Sequence, residues 1–276
     1  MTDRPDNASF SSRPAKHAPI GIFDSGVGGL TVLAEIQKAL PNESIIYVGD
    51  TANAPYGGKS NEELLQLGRR IIKFLLTQDV KAVVLACGTT SSTVYEQLVS
   101  EYPGIPLVDA IRPGVQACVE LTTPRIGLIA TVATIRSGLF AKLLNTKRPD
   151  ISLLTQACPL YAPMVEAGTT QGPIAKWATE TYVSGWRGKI DALVLGCTHY
   201  PLLADTLTDV LGTDVQFINL ATHTTQALKA QLAATGSFNE GETPPDYKFY
   251  VSGPPGAFNK TARFLLGREI CASNTL

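Results

Sequence analysis

The sequence predicts an α/β fold made of two similar, doubly wound α/β domains with parallel-rich sheets related by pseudo-symmetry. Short β-branched or leucine-rich runs alternate with longer stretches of helical periodicity, the pattern of parallel strands buried on both faces. The 276-residue chain is long enough for two compact domains. Two patterns also recur: Pro19–Ile22 returns as Arg125–Leu128, and Lys81–Cys87 returns as Asp191–Cys197. Each copy of the second pattern ends in a cysteine.

The elements follow from these patterns in chain order. Apolar runs bounded by turn-forming or polar residues predict strands. They lie at 19–23, 44–48, 81–86, 105–109, 125–130, 151–155, 190–196, 214–218 and 246–251. A repeat near 3.6 residues predicts helices between them. These lie at 29–40, 60–77, 89–101, 113–122, 135–145, 160–167, 172–187, 200–211, 221–234 and 256–266.

Composition narrows the class of protein. The chain has a net charge of −1 and so lacks the strong positive charge typical of nucleic-acid-binding proteins. Its longest apolar runs are too short to span a membrane. Residues 1–18 are polar and contain proline, which predicts a disordered tail rather than a secretion signal. Five scattered cysteines argue against a disulfide framework. We therefore expect a cytoplasmic protein with no nucleic-acid or membrane partner.

A glycine-rich turn follows the first predicted strand, at Phe23–Leu30. Its glycines could bring backbone N–H groups close to an anion at a helix start. The spacing of Gly26, Gly28 and Gly29 differs from the dinucleotide-binding fingerprint, so a nucleotide site is weakly indicated. The alternative is a tight turn in which Asp24 or Ser25 caps the following helix.

Two cysteines, Cys87 and Cys197, stand where predicted strands end and helices begin. Ligands of parallel α/β sheets collect at these strand ends, and a helix start is expected to lower the pKa of a thiol there. Two thiols from equivalent halves would face each other across one interdomain cleft. Such a pair suits the removal of a proton from one face of a chiral carbon and its return on the other. Asp24 and His199 could tune the two thiols, whereas Cys118, Cys158 and Cys271 are interpreted as structural or incidental.

Several segments together resemble the glutamate racemases, within the aspartate/glutamate racemase superfamily. The resemblance extends from about residue 19 to 267, and the motifs that carry it lie in the same order along the chain. They are Phe23–Leu30, Val48–Ala52 with Pro55–Gly57, Leu85–Cys87, Ala130–Thr134, Cys158–Pro159 with Glu166, and Gly196–Pro201.

The resemblance implies a cofactor-independent isomerase that interconverts L- and D-glutamate and supplies D-glutamate for bacterial peptidoglycan, hence for cell-wall biogenesis and cell shape. It implies no metal and no partner beyond the amino-acid substrate, and it leaves a homodimer open. Cys87 and Cys197 would be the acid–base residues, with Cys87 serving the D-enantiomer, assisted by Asp24 and His199. The implied substrate-binding residues are Asp24, Ser25, Tyr56, Gly57, Gly88, Thr89, Thr198 and His199.

The alternating strands and helices and the recurring patterns predict two domains, and the resemblance implies that the chain returns from the second domain to the first. Residues 19–110 and 222–270 would form the first domain, with the chain returning to it after a second domain at 111–221.

Three positions depart from the pattern of the family. Gly88 stands where asparagine is usual, Asn53 where arginine is common, and Asn219 where an acidic residue is usual. A lost hydrogen bond to a charged group costs about 1.5–3 kcal/mol, and a water molecule could fill the space left at Gly88. The departures leave open a racemase for aspartate or another amino acid, and a catalytically weak regulatory homologue.

Other chemistry also fits single residues. One cysteine could act as a nucleophile assisted by His199, as in acyl transfer, but Cys87 would then have no role. Metal binding through Cys197 and His199 would have only two neighbouring ligands. The paired cysteines therefore favour the racemase interpretation.

Overall fold

The structure, a computed structural model, describes residues 15–241 and 244–274. Within them the chain forms two sheets whose strands are all parallel, so the predicted α/β class is confirmed. Most of the predicted disordered tail lies outside the described residues. Residues 15–18 form a turn closed by a hydrogen bond from the Ala18 N–H to the Ala15 carbonyl.

The first sheet has six strands, in the order β10-β9-β2-β1-β3-β4. They are β1 (Ile20–Asp24), β2 (Ile45–Gly49), β3 (Ala82–Leu85), β4 (Leu107–Asp109), β9 (Tyr247–Val251) and β10 (Ala272–Asn274). Strand β1 is fully buried, because Ile20 and Ile22 pack into the core on one face and Phe23 into the core on the other. Helices therefore cover both faces of this sheet.

The second sheet has four strands, in the order β6-β5-β7-β8. They are β5 (Arg125–Ala130), β6 (Ser152–Ala157), β7 (Ala192–Leu195) and β8 (Gln216–Asn219). Its central strand β5 pairs with β6 and β7, as β1 pairs with β2 and β3 in the first sheet. The two recurring sequence patterns therefore occupy equivalent strands, β1 with β5 and β3 with β7.

The first six helices along the chain are α1 (Leu30–Ala39), α2 (Asn61–Leu76), α3 (Gly88–Thr93), α4 (Tyr95–Glu101), α5 (Ile111–Val119) and α6 (Val132–Ser137). The next six are α7 (Leu139–Lys147), α8 (Tyr161–Glu166), α9 (Gly172–Val183), α10 (Ala204–Leu211), α11 (Leu220–Thr235) and α12 (Pro255–Leu266). None of the described helices is long and apolar enough to cross a membrane.

Two predicted helices are each interrupted. The helix predicted at 89–101 divides at Val94, whose φ of −125° leaves the helical region. The helix predicted at 135–145 divides at Gly138, whose φ of +64° ends one helix and begins the next. The segments predicted as helical at 184–187 and 200–203 contain 3₁₀ turns instead.

Helix α11 packs against both sheets. Leu228 and Leu232 join the core of the first sheet, while Leu220 joins the core beneath the second. Helix α5 packs against α7 and α11. The predicted domain limits at 110 and 222 fall close to these helices, and they stay a prediction.

Candidate active site

A cavity of about 250 Å³ lies between the two sheets, at the carboxyl ends of their strands. Nine of the ten predicted site residues line it, the exception being Asp24, which is buried at the end of β1. The nine are Ser25, Tyr56, Gly57, Cys87, Gly88, Thr89, Cys197, Thr198 and His199. A wider depression of about 410 Å³ lies around Arg112 and His223 and contains none of the predicted site residues.

Cys87 contributes the first thiol, from the loop between β3 and α3. Burial and the nearby Asp24 carboxylate raise its pKa to about 11, although hydrogen bonds from Thr90 and Ser25 act in the opposite direction. The expectation that the helix start would lower this pKa is therefore wrong. Loss of solvent outweighs the helix dipole here, because the thiol is almost completely buried.

Cys197 contributes the second thiol, from the equivalent loop after β7. Its Sγ lies 3.5 Å from Nδ1 of His199, and the other ring nitrogen of His199 lies 3.0 Å from Oε1 of Glu166. Burial lowers the pKa of His199, but the hydrogen bonds to Cys197 and Glu166 prevail and raise it to about 10. A protonated His199 can donate to both partners, which supports negative charge on the Cys197 sulfur.

Removing the carboxylate charge of Glu166 tests this arrangement through stability. Because the folded pKa of His199 lies above its usual 6.5, its protonation stabilises the fold below about pH 6.5, and this contribution is lost as pH rises towards 10. We expect Glu166→Gln to flatten that dependence, measured as urea midpoints between pH 6.5 and 10. The control Glu180→Gln changes an exposed pair with Lys176 and should leave the dependence intact. Identical pH profiles for wild type and Glu166→Gln would contradict the arrangement.

Asp24 lies behind the cavity wall, buried at the end of β1. Its Oδ2 accepts a hydrogen bond from the Gly26 N–H, and its Oδ1 is buried with no hydrogen-bond partner among the described residues. Burial raises the pKa of Asp24, while the neighbouring His199 and two backbone N–H groups oppose that rise. Asp24 therefore acts on the electrostatics of Cys87 and His199 without forming part of the cavity wall.

The glycine-rich turn packs against the second cysteine loop. A Cβ at Gly28 would lie 2.3 Å from Oγ1 of Thr198 and 2.5 Å from the His199 ring. The hydroxyl of Thr31 donates to the Thr198 carbonyl at 3.0 Å. Neither predicted cap was correct, because Gly29 precedes α1 without any side-chain cap. The glycines permit this close approach between the two halves.

The loop before α2 places Tyr56 against the cavity. Its hydroxyl donates to Oδ2 of Asp50 at 2.5 Å, and Asn53 donates to Oδ1 of the same carboxylate. Asn53, the second departure from the family pattern, therefore anchors its own loop and does not line the cavity. The hydroxyl proton of Tyr56 is therefore engaged by Asp50.

The other two departures also have structural explanations. A Cβ at Gly88 would lie 2.6 Å from the Gly196 carbonyl oxygen, so the backbone of the other cysteine loop leaves no room for a side chain at this position. Asn219 precedes α11, and its side chain accepts from the Ala221 N–H, which caps that helix as an acidic residue would.

Glu166, Thr131 and Cys158 are among the cavity-lining residues that were not predicted as site residues. Glu166 ends α8, and no spacing in the sequence connects it with His199. Thr131 caps α6, and its hydroxyl lies 2.9 Å from the Thr89 hydroxyl of the other half. Its position at a helix start was the one sequence signal that could have identified it. Cys158, interpreted as structural or incidental, also lines the cavity.

Comparisons with known proteins show the family of this chain. A family model described as Asp/Glu/Hydantoin racemase matches residues 20–228. A glutamate racemase from Geobacter metallireducens is 40% identical over 253 residues, covering 91% of this chain and 93% of that protein. One from Streptococcus suis is 36% identical over 255 residues, covering 91% and 96%.

Solved structures of glutamate racemases have the same fold. The Francisella tularensis protein in complex with D-glutamate is 35% identical with a TM-score of 0.88, and an isoform from Bacillus anthracis is 35% identical with a TM-score of 0.89. Each comparison covers 95% of this chain and 98% of the other. An aspartate racemase from Picrophilus torridus, 16% identical with a TM-score of 0.56, shares the fold alone. With its family model matched over most of its length, the chain belongs to the Asp/Glu/Hydantoin racemase family.

Proposed function

We propose that this protein is a glutamate racemase that interconverts L- and D-glutamate by two-base proton transfer without a cofactor. The observation that carries the proposal is that Cys87 and Cys197, from equivalent strand ends of two sheets, line one cavity. Relatives at 36–40% identity over 91% of the chain are glutamate racemases, which supports glutamate as the substrate.

In the proposed reaction, one cysteine thiolate removes the α-proton and the other cysteine, as a thiol, donates a proton to the opposite face. The negative charge that develops on the substrate needs hydrogen-bond donors nearby. Ser25, Thr89 and Thr198 line the same cavity and can supply hydroxyl donors. His199, held by Glu166, stabilises the charge on Cys197, and Asp24 lies buried at the end of β1. After one turnover the first cysteine is a thiol and the second is a thiolate.

The roles of the two cysteines differ in the proposal. Following the family resemblance, Cys87 faces the D-enantiomer and Cys197 the L-enantiomer. The physical setting differs as well, because the His199 ring lies 3.5 Å from the Cys197 sulfur, while the hydroxyls of Thr90 and Ser25 oppose the rise in the pKa of Cys87. The supply of D-glutamate for peptidoglycan, a cytoplasmic location and a homodimer belong to the same proposal.

The function is tested by incubating the dialysed protein with L-glutamate, L-aspartate and other L-amino acids, followed by chiral chromatography. We expect D-glutamate to accumulate until the two enantiomers are equal, with other amino acids turned over far more slowly. Turnover of aspartate in preference to glutamate would identify aspartate as the substrate instead. No racemisation of any amino acid would favour a regulatory homologue. A homodimer would be recognised by light scattering of the same preparation.

A further inference from the structure

Helix α3 carries an unbroken run of hydroxyl side chains that begins two residues after Cys87, from Thr89 to Thr93. Four of these hydroxyls have oxygen partners. Thr89 contacts Thr131 at 2.9 Å, Ser91 donates to the Leu85 carbonyl, and Ser92 and Thr93 both donate to the Thr89 carbonyl. The hydroxyl of Thr90 is fully buried and has no hydrogen-bond partner, oxygen or sulfur, among the described residues.

The unpartnered hydroxyl belongs to the residue whose position in the helix favours contact with Cys87. Cys87 immediately precedes α3, and Thr90 is the third residue of that helix. The side chain before a helix commonly accepts from the N–H of the third residue, but the Cys87 side chain makes no such capping hydrogen bond here. Both the N–H and the hydroxyl of Thr90 act on the Cys87 sulfur and oppose the rise in its pKa that burial causes.

A thiol and a thiolate differ greatly as acceptors. A thiol sulfur accepts hydrogen bonds weakly, whereas an ionised acceptor forms the stronger, charge-assisted kind. A buried hydroxyl without an acceptor is unfavourable. The Thr90 hydroxyl therefore lacks a good partner while Cys87 is protonated and gains one when Cys87 loses its proton.

We propose that Thr90 is a positioning residue whose buried hydroxyl is kept without another acceptor so that it can stabilise the Cys87 thiolate. The inference rests on the proposed function, because it assigns the charged form of Cys87 a place in the reaction. It explains how the two thiols reach the charged state by different means. Cys197 relies on His199 and Glu166, whereas Cys87 relies on Thr90 with Ser25.

The test compares three variants: Thr90→Val, Thr90→Ser and Thr93→Val. Valine has nearly the shape of threonine without its hydroxyl, and serine retains the hydroxyl. Thr93→Val is the matched control, because it removes a hydroxyl of the same helix that already has a backbone acceptor. The readouts are the rate of alkylation of Cys87 by iodoacetamide at pH 9, followed by peptide mass spectrometry, and the thermal midpoint.

We expect Thr90→Val to alkylate at Cys87 about tenfold more slowly, as for a pKa raised by about one unit through loss of one charged hydrogen bond. Alkylation of Cys197 should not change, and the thermal midpoint should be equal or higher because an unpartnered buried hydroxyl has been removed. Thr90→Ser should retain the rate at Cys87. Thr93→Val should retain it too while lowering the midpoint.

An unchanged alkylation rate at Cys87 in Thr90→Val, or the same loss in Thr93→Val, would overturn the inference. If valine prevents folding, Thr90→Ala removes the same hydroxyl with a smaller side chain and should show the same slowing. Failure of the proposed function is separate: racemisation that survives in Cys87→Ser would remove the acid–base role of Cys87, whatever the alkylation rates show.

Discussion

Replacing Cys87 or Cys197 by serine should slow racemisation of glutamate by about 10²–10⁴-fold in both directions. A serine hydroxyl is far less acidic than a thiol, so it is a poor substitute where one group must both take and give a proton. General acid–base groups contribute about 10²–10⁴-fold to rates, and we expect a loss of that size in kcat/KM. Polarimetry or circular dichroism from either enantiomer measures it.

A half-reaction then separates the two thiols. Elimination of a leaving group from C3 of a glutamate analogue needs only the first proton abstraction. Each serine variant should therefore retain elimination from the enantiomer served by its remaining cysteine and lose it from the other. With the handedness implied by the family, Cys87→Ser retains elimination from the L-analogue. Equal loss for both enantiomers in both variants would contradict a two-base assignment, and full racemisation in either variant would remove that cysteine from the mechanism.

Adding a single methyl group at Gly88 should have the next largest effect. In Gly88→Ala the new Cβ would lie 2.6 Å from the Gly196 carbonyl oxygen. That oxygen cannot move easily, because the Gly196 N–H is bonded to the Ile129 carbonyl at 2.8 Å. The two cysteine loops must separate instead. We expect a loss of about 1–3 kcal/mol in the free energy of unfolding and of about a hundredfold in kcat, since catalysis is sensitive to misplacement of about 1 Å.

The matched control is Gly256→Ala on α12, where no heavy atom lies within 4 Å of an added Cβ. It should keep its activity and be slightly more stable, since alanine favours a helix over glycine. The same steric argument applies to Gly88→Asn, so restoring the usual family residue should impair this protein. Wild-type activity in Gly88→Ala or Gly88→Asn would show that the two halves do not approach this closely.

Much of the fold could be predicted because buried parallel strands have a strong local signal. Runs such as Ala82–Leu85 and Ala192–Leu195 are apolar throughout, and both faces of each are buried. Strand β10 was missed, since its three residues, Ala272–Asn274, carry no apolar pattern. The helix interruptions at Val94 and Gly138 were missed because helical periodicity continues across each break.

The site could be predicted in part for a different reason. Cys87 and Cys197 were found because strand ends are places where ligands collect and because each ends a recurring pattern. Glu166 was missed because its role depends on a 3.0 Å contact with a residue in another loop, which local sequence does not encode. The pKa of Cys87 was expected to fall and instead rises, because burial depends on the approach of both halves.

The isotopic composition of both enantiomers early in the reaction tests the central claim most directly. L-glutamate is incubated with the protein in deuterated water, and the two enantiomers are separated before much has been converted. Two thiols on opposite faces predict D-glutamate that carries deuterium at Cα while the remaining L-glutamate keeps its hydrogen, because the second cysteine delivers a proton from solvent. D-glutamate that retains the original hydrogen, or L-glutamate that gains deuterium as fast as the product forms, would contradict the two-thiol account.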